Sequence, residues 1–410
     1  MRILLVHNLY RAAIPSGENT VYAAERELLA STGHKVFEFT RSNDEISEMR
    51  LSTALQATLL MPWNPLSADA FQQVLRTVDP DVIHVHNTFP LITPAIFWAA
   101  KASRAAVVMT LHNYRLFCAA GIAMRDKHPC TLCLEKRSVL PALRYGCYRN
   151  SRLATLPVAA QIALHHRLGT WQRQVDGFIA LTNFQRGQLI AAGLPTDRIY
   201  VKPNFTYPPT QRVPWQQREN KVVFVGRLAS EKGCDLLLRA WIEWGKKAPQ
   251  LELIGDGELA TELKSLVTQH GLEDKVHMTG TITPQEVRTR MATARLLVLP
   301  SRCLESLSMS ILEAYALGVP VVASRLGTLQ SIVTEGETGH LFDCGNSVDL
   351  LKVLQDIWNQ PATLERMSLS AVSHYEQDYS PAGNYAKLMD IYRQATLNRS
   401  HRPYVRKTNA

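Results

Sequence analysis

Short apolar runs punctuate the first half of this chain at Arg2–Val6, Lys35–Phe39, Val82–Val85, Val107–Leu111, Gly177–Leu181 and Arg198–Val201. Each is too short for a helix and reads as a buried strand. Between them the apolar positions shift to helical spacing. Within Gly17–Ala30, for example, Val21, Ala24, Leu28 and Leu29 share a face, and Gly33 ends the run. Strands alternating with helices predict a parallel, doubly wound α/β sheet. From Pro203 to Asn220 (PNFTYPPTQRVPWQQREN) no period is found and Pro and Gln dominate, as in a linker. The strand rhythm then restarts at Lys221–Val225, Leu251–Ile254, Val276–Met278, Leu296–Leu299 and Val319–Ala323, and a helix around Tyr385–Thr396 ends the chain.

The expected organisation is therefore a first Rossmann-like domain over residues 1–205 and a linker over 206–220. A second Rossmann-like domain follows over 221–380, then a helix and basic tail over 381–410, the helix crossing back to the first domain. A length of 410 residues suits two cores better than one. Hydrophobic content of 46% and charged content of 20% are those of an ordinary globular protein. No apolar run approaches the ~18 residues of a membrane helix. The opening MRILLVHNLY is too short for a secretory signal and reads as a core strand, which places the protein in the cytoplasm.

Charge refines this picture. The net charge is +9, and no Asp or Glu occurs from Lys136 to Arg173. That stretch carries Lys136, Arg137, Arg144, Arg149, Arg152, Arg167 and Arg173, interleaved with Tyr145, Tyr148 and Trp171; the tail adds Arg399, Arg402, Arg406 and Lys407. A solvated basic face is the simplest reading. Peripheral contact with an anionic membrane on its cytoplasmic side is the sharper one, and nucleic acid the third.

The densest chemistry lies in Pro300–Ser324, where Glu305 and Glu313 stand eight residues apart between two strands. Parallel sheets hold ligands at the carboxyl ends of their strands. A carboxylate there can accept both hydroxyls of a ribose or sugar ring, and amides of Ser306, Leu307 and Ser308 at a helix start can hold phosphate. Arg227 and Lys232 flank another strand-end turn, Gly226–Gly233, and supply the positive charge that a departing pyrophosphate needs. Ile254–Glu258 is a third glycine turn, weak alone. Asp79 and Asp81 form a DxD that reads as a turn before a strand.

In order, GRLASEKG, IGDGE, HMTGTITPQEV, PSRCLESLSMSILEAYALGVPVVAS and EGETGHLF resemble the group 1 (family 4) retaining glycosyltransferases. GHKVFEFT, DPDVIHVHN and the strand leading to His112 support the likeness in the first half. The resemblance implies the GT-B fold, two Rossmann-like domains facing across a cleft. It implies that Glu313 binds the nucleotide ribose, that Glu305 contacts the donor sugar, and that Arg227 and Lys232 hold the diphosphate. Gly226, Ser306 and Leu307 would line the donor site, with Gly280 facing the base. His112 would lie near the transferred sugar, and Gly17 near the phosphates. The chain departs from the family pattern at Ser16-Gly17, where paired glycines are common, and at Ser306-Leu307, where Gly-Phe is commoner. The implied activity moves a hexose from a UDP- or GDP-sugar to a glycan or lipid-linked glycan, in surface polysaccharide biosynthesis. The anomeric configuration is retained and no catalytic metal takes part. Domain closure on donor binding is a further expectation.

Cys118, Cys130, Cys133 and Cys147 form C-x11-C-x2-C-x13-C within the insertion at 113–152. Disulfides are rare in the cytosol, and a CxxC with outlying cysteines suits a structural zinc that would stabilise a segment with few core residues. Unbound cysteines are the first alternative and a disulfide pair the second. His84 and His86 share one face of their strand and are assigned no chemistry. The non-enzymatic alternative is a GT-B-like adaptor for membrane or nucleic acid with a four-cysteine zinc site. The set Arg227, Lys232, Glu305 and Glu313 argues against it, and nucleic acid is not expected as a partner.

Overall fold

The computed structural model describes residues 1–13 and 16–400. Arg402, Arg406 and Lys407 of the basic tail lie outside the described residues. The chain forms two compact units: residues 1–122, 131–204 and 384 onward in one, and residues 123–130 and 205–383 in the other.

The first unit is built on six parallel strands: β1 (Arg2–Leu9), β2 (Lys35–Ser42), β3 (Val82–Asn87), β4 (Ala106–Thr110), β7 (Gly177–Ala180) and β8 (Ile199–Val201). Their order is β2-β1-β3-β4-β7-β8. Burial on both sheet faces explains why β4 reads as a nearly continuous apolar run, and it encloses even His84, His86 and Asn87 of β3. The helix Gly17–Ser31 places Tyr22 and Leu29 in a core with Ile3, Leu5, Val82 and Val108. Leu388, Ile391, Tyr392 and Ala395 of the last helix, Pro381–Ser400, join the same core. Each such aliphatic side chain contributes roughly 1.5–3 kcal/mol on full burial.

The 113–152 segment differs from the expectation of a core-poor insertion. Tyr114, Leu116, Phe117, Ala119 and Leu134 are buried. Met61, Ala119, Cys133, Ala142, Val158 and Ile162 form an apolar cluster against which Cys147 and Tyr148 pack. Its antiparallel hairpin, β5 (Met124–Arg125) with β6 (His128–Pro129), was not foreseen, because strands of two residues carry no period.

The second unit holds β9 (Lys221–Val225), β10 (Gln250–Ile254), β11 (Val276–Gly280), β12 (Leu296–Leu299), β13 (Val321–Ser324) and β14 (Gly339–Phe342). All pair in parallel, in the order β11-β10-β9-β12-β13-β14. β13 starts two residues later than the apolar run suggests, past Pro320, which has no N–H to donate. Strand β14 escapes the pattern because its four residues open on glycine; a Cβ at Gly339 would lie 1.7 Å from the Val321 carbonyl oxygen. Both sheets are doubly wound, and the whole has the GT-B plan of two Rossmann-like domains.

Candidate functional site

The order of the second sheet reverses at β9, whose neighbours are β10 and β12. Crevices at such reversal points, beyond the strands' carboxyl ends, are where parallel sheets take ligands. Three turns meet there. Gly233 adopts φ +69° and a Cβ on it would lie 2.0 Å from the Pro300 carbonyl oxygen. Gly255 adopts φ +136° and its Cβ would lie 2.1 Å from the Gly226 carbonyl oxygen. Glycine alone lets these backbones approach. Asp256 and Glu258 brace the turn, since the Asp256 carbonyl accepts from the Leu228 amide at 3.0 Å and the Glu258 carboxylate from the Ser230 amide at 3.5 Å.

Of the cations and carboxylates expected in this crevice, Lys232 and Glu305 meet directly. Lys232 Nζ donates to Glu305 Oε1 at 2.9 Å, and Ser301 Oγ donates to the same oxygen. Burial would push the Glu305 carboxyl up, but Lys232 and Ser301 hold it below its usual range. Burial likewise disfavours the Lys232 ammonium, and Glu305 more than offsets this and raises it. Arg227 Nη2 lies 2.5 Å from Glu231 Oε1, with half of its side chain in solvent. Arg302 forks onto Asp235 at 2.8 and 3.1 Å and accounts for a buried arginine that the motif leaves without a role. Before any anion arrives, Arg227 and Lys232 are thus each neutralised by one carboxylate.

Glu313 differs. It is half-buried on the helix Met309–Ala316 and accepts no hydrogen bond among the described residues. Burial pushes its carboxyl above the usual range, and Arg288 only partly opposes this. The helix begins at Met309, with Ser308 as N-cap. Ser308 therefore stands at the helix start as expected, with Ser306 and Leu307 in the loop just before it. Gly280 ends β11, where its carbonyl accepts from the Gly255 amide at 3.1 Å.

Gly17 and His112 belong to the first unit. Gly17 opens the helix Gly17–Ser31 behind the N-cap Ser16. Asn113 donates to Glu18 at 2.8 Å and so ties that helix start to the loop after β4. His112 lines a cavity with His86, Thr110, Asn113, Arg115 and Phe89. Its Nε2 lies 3.0 Å from His86 Nδ1. Behind them stands a buried network that the sequence reading missed. Glu25 lies 3.2 Å from His86 Nε2, 3.0 Å from His84 Nδ1 and 2.9 Å from Lys202 Nζ. Lys202 also reaches Asn384 Oδ1 at 3.0 Å. Burial would raise the Glu25 carboxyl, but Lys202 and His84 hold it well below its usual range. A signal for Glu25 did exist, since it falls on the apolar face of its helix beside Val21, Leu28 and Leu29.

The zinc expectation needs correcting. No four-cysteine site is evident among the described residues, and Cys118, Cys130, Cys133 and Cys147 do not form a group with ligand spacing. The apolar cluster around Cys133 supplies the core that zinc was expected to replace. Glu25, His84 and His86 do have donor atoms within 4.8 Å of one another, a spacing that could hold a metal ion. The Lys202 ammonium already supplies a positive charge there. The DxD is a turn: Asp79 caps a helix in the left-handed region, and Asp81 accepts from the Arg2 amide at 2.7 Å. Trp171 is buried against Phe97 and leaves the list of interfacial aromatics.

Comparisons with known proteins agree with this geometry. The glycosyl transferases group 1 model matches residues 210–373 and the Glycosyltransferase Family 4 model residues 16–207. Alpha-D-kanosaminyltransferase of Streptomyces kanamyceticus is 28% identical over 43% of this chain and 46% of its own. A phosphatidylinositol N-acetylglucosaminyltransferase subunit from Arabidopsis thaliana is 23% identical over 82% of this chain and 70% of its own. Apart from such longer matches, the alignment spans about half or less of the curated relatives' length. Among solved structures, Anabaena Alr3699/HepE in complex with UDP superposes with a TM-score of 0.66 at 17% identity, covering 95% of this chain and 99% of that one. Sucrose-phosphate synthase from Thermosynechococcus elongatus gives 0.69 at 18% identity, covering 96% and 98%. With both of its sheets, its glycine turns and two contiguous family models in agreement, the chain belongs to the GT-B glycosyltransferases of group 1 and family 4.

Proposed function

We infer that this protein is a retaining glycosyltransferase that moves a hexose from a UDP- or GDP-sugar to a glycan or lipid-linked glycan in surface polysaccharide assembly. The observation that carries the reading is the crevice at β9 and β12, where Lys232 pairs with Glu305 and Arg227 with Glu231, while Glu313 on the helix after β12 accepts no hydrogen bond among the described residues. Glu313 accepts the ribose hydroxyls. Arg227 and Lys232 turn from their carboxylates onto the diphosphate and stabilise the charge that grows as the anomeric bond breaks. Glu305, relieved of part of its ion pair, faces the sugar. The acceptor attacks from the face the phosphate leaves, and the phosphate oxygen takes its proton. Glu305 and Glu313 are therefore not a hydrolytic pair. Gly17 borders the phosphates, Gly226, Gly280, Ser306 and Leu307 line the donor, and His112 lies beside the transferred sugar.

A lipid-linked acceptor is supported by one surface. Leu140, Leu153 and Leu156 are 70%, 84% and 56% exposed, with Tyr145 at 48%. Arg144, Arg149 and Arg152 are exposed among them. Apolar side chains rimmed by arginine suit an anionic bilayer surface. No helix of the described residues is long and apolar enough to cross a membrane.

The test is release of nucleoside diphosphate from a panel of UDP- and GDP-hexoses, with wild type, Arg227→Ala and Lys232→Ala side by side. One donor should turn over, and each variant should lose about 100-fold or more in rate, as when a single charge-stabilising group is removed. No turnover with any donor, or variants as fast as wild type, would contradict the reading.

A further inference from the structure

Four groups run in line from the first unit's core to His112: Lys202, Glu25, His86 and His112. Glu25, His86 and Lys202 are buried, whereas His112 keeps partial exposure on its cavity. A chain of this kind decides where protons sit. Glu25 is a carboxylate and can only accept. Its Oε1 lies 3.2 Å from His86 Nε2 and 3.0 Å from His84 Nδ1, both outside good hydrogen-bond geometry, and His86 Nε2 has no other partner among the described residues. A proton on His86 Nε2 makes that approach attractive. Without it, two lone pairs would face each other in a buried site of low dielectric.

His86 is neutral: burial first, then neighbouring His84, pushes its imidazole down to about 4. A neutral ring with its proton on Nε2 has a bare Nδ1, and this Nδ1 lies 3.0 Å from His112 Nε2. The contact is a hydrogen bond only if His112 carries its proton on Nε2. His112 is also neutral, held well below its usual range by burial and by His86. Its Nδ1 is then the unprotonated nitrogen.

We propose that Glu25 and His86 are positioning residues for His112: they hold its proton on Nε2 and leave Nδ1 an acceptor, so that a hydroxyl of the transferred sugar must donate to this ring. The proposal rests on the reading that His112 lies beside that sugar. Lys202 serves by keeping Glu25 ionised. In this arrangement His112 neither gives a proton to the leaving phosphate nor receives one from the acceptor; it orients a hydroxyl. The same network gives the buried Glu25 a task that its core position does not require, since an aliphatic residue there would fill the space without needing three polar partners.

Two measurements on the full-length protein test it. The first reads the ring nitrogens of isotope-labelled histidine by NMR, with His112→Gln used to assign the signal. The expected result is a protonated Nε2 and a bare Nδ1 on His112; a protonated Nδ1, or an even mixture of tautomers, overturns the proposal. The second compares His86→Phe with His86→Gln, using as probe the UDP- or GDP-hexose that the wild type turns over, with water as acceptor. The phenylalanine severs the line, whereas the glutamine amide can still donate to Glu25 and accept from His112. His86→Phe should lower kcat about 10- to 100-fold with KM for the donor little changed, the usual scale for outer partners of a working histidine. His86→Gln should recover most of that loss. Equal rates in both variants overturn the proposal, and the wild-type spectrum decides it even if His86→Phe fails to fold. If His112→Gln itself works at the wild-type rate, the placement of His112 by the sugar fails, whatever its tautomer. If His112→Gln is slow but the tautomer is the wrong one, only the positioning role of Glu25 and His86 fails.

Discussion

Glu25 and Lys202 face each other 2.9 Å apart, each with about 1% of its side chain exposed. Removing one partner leaves the other charged and buried. Lys202→Met should therefore cost about 3–5 kcal/mol of stability, and pairing it with Glu25→Gln should recover much of that loss. Urea unfolding measures both. The sign of the pH dependence follows from Glu25, whose folded-state carboxyl sits below its unfolded value. Its contribution is complete above the unfolded value and is lost as pH falls through the folded one. In Lys202→Met the depressing charge is gone, so acid unfolding should begin at higher pH than in wild type. The sequence hid this pair because its members lie 177 residues apart and meet only through the fold. Arg227, Lys232, Glu305 and Glu313 were legible because each lies in the turn or helix that directly follows a strand, where local order can be read from the sequence. The role each plays there is a proposal.

At the scale of elements, the glycine turns set how closely the loops approach the ligand. Gly233→Ala would force a Cβ to 2.0 Å from the Pro300 carbonyl oxygen in a left-handed conformation. The turn must open, at a cost of about 1–3 kcal/mol for the strained backbone. Lys232, its immediate neighbour, would move off Glu305. Gly233→Ala should lower the melting temperature and weaken nucleotide binding together, whereas Gly271→Ala, a left-handed glycine with open space around its Cβ position, should only lower stability. Calorimetry on the two variants separates these effects. Parallel strands buried on both faces were readable as apolar runs, and nearly all of the core strands were foreseen to within a few residues. The elements missed are β14, which begins on a glycine, and the hairpin β5–β6, which is too short to carry a period. The cysteine spacing misled because spacing alone cannot separate a ligand set from thiols such as Cys133 and Cys147 that pack in an apolar cluster.

For the molecule as a whole, net charge and surface pattern bear on where it works. A patch holding Leu140, Tyr145, Leu153 and Leu156 with Arg144, Arg149 and Arg152 should bind phosphatidylglycerol vesicles at low salt and release them as salt rises. Leu153→Asp together with Leu156→Asp should abolish vesicle sedimentation and leave nucleotide binding unchanged, because both side chains are exposed and neither is among the residues proposed to hold the donor. Binding to phosphatidylcholine vesicles equal to that seen with anionic lipid would contradict the electrostatic part of this account.

The central claim is that the crevice at β9 and β12 takes a nucleoside diphosphate with Glu313 on its ribose, and isothermal titration with UDP, GDP and ADP tests it most directly. One of the three should bind wild type. Glu313→Ala should weaken it about 30-fold or more, since two hydrogen bonds to a charged group contribute about 2–4 kcal/mol. Affinity in the wild type should also decline as pH is lowered, because binding needs the ionised form of a carboxyl that burial has raised. Affinity that is the same in Glu313→Ala as in wild type, or no binding of any nucleotide, would contradict the account.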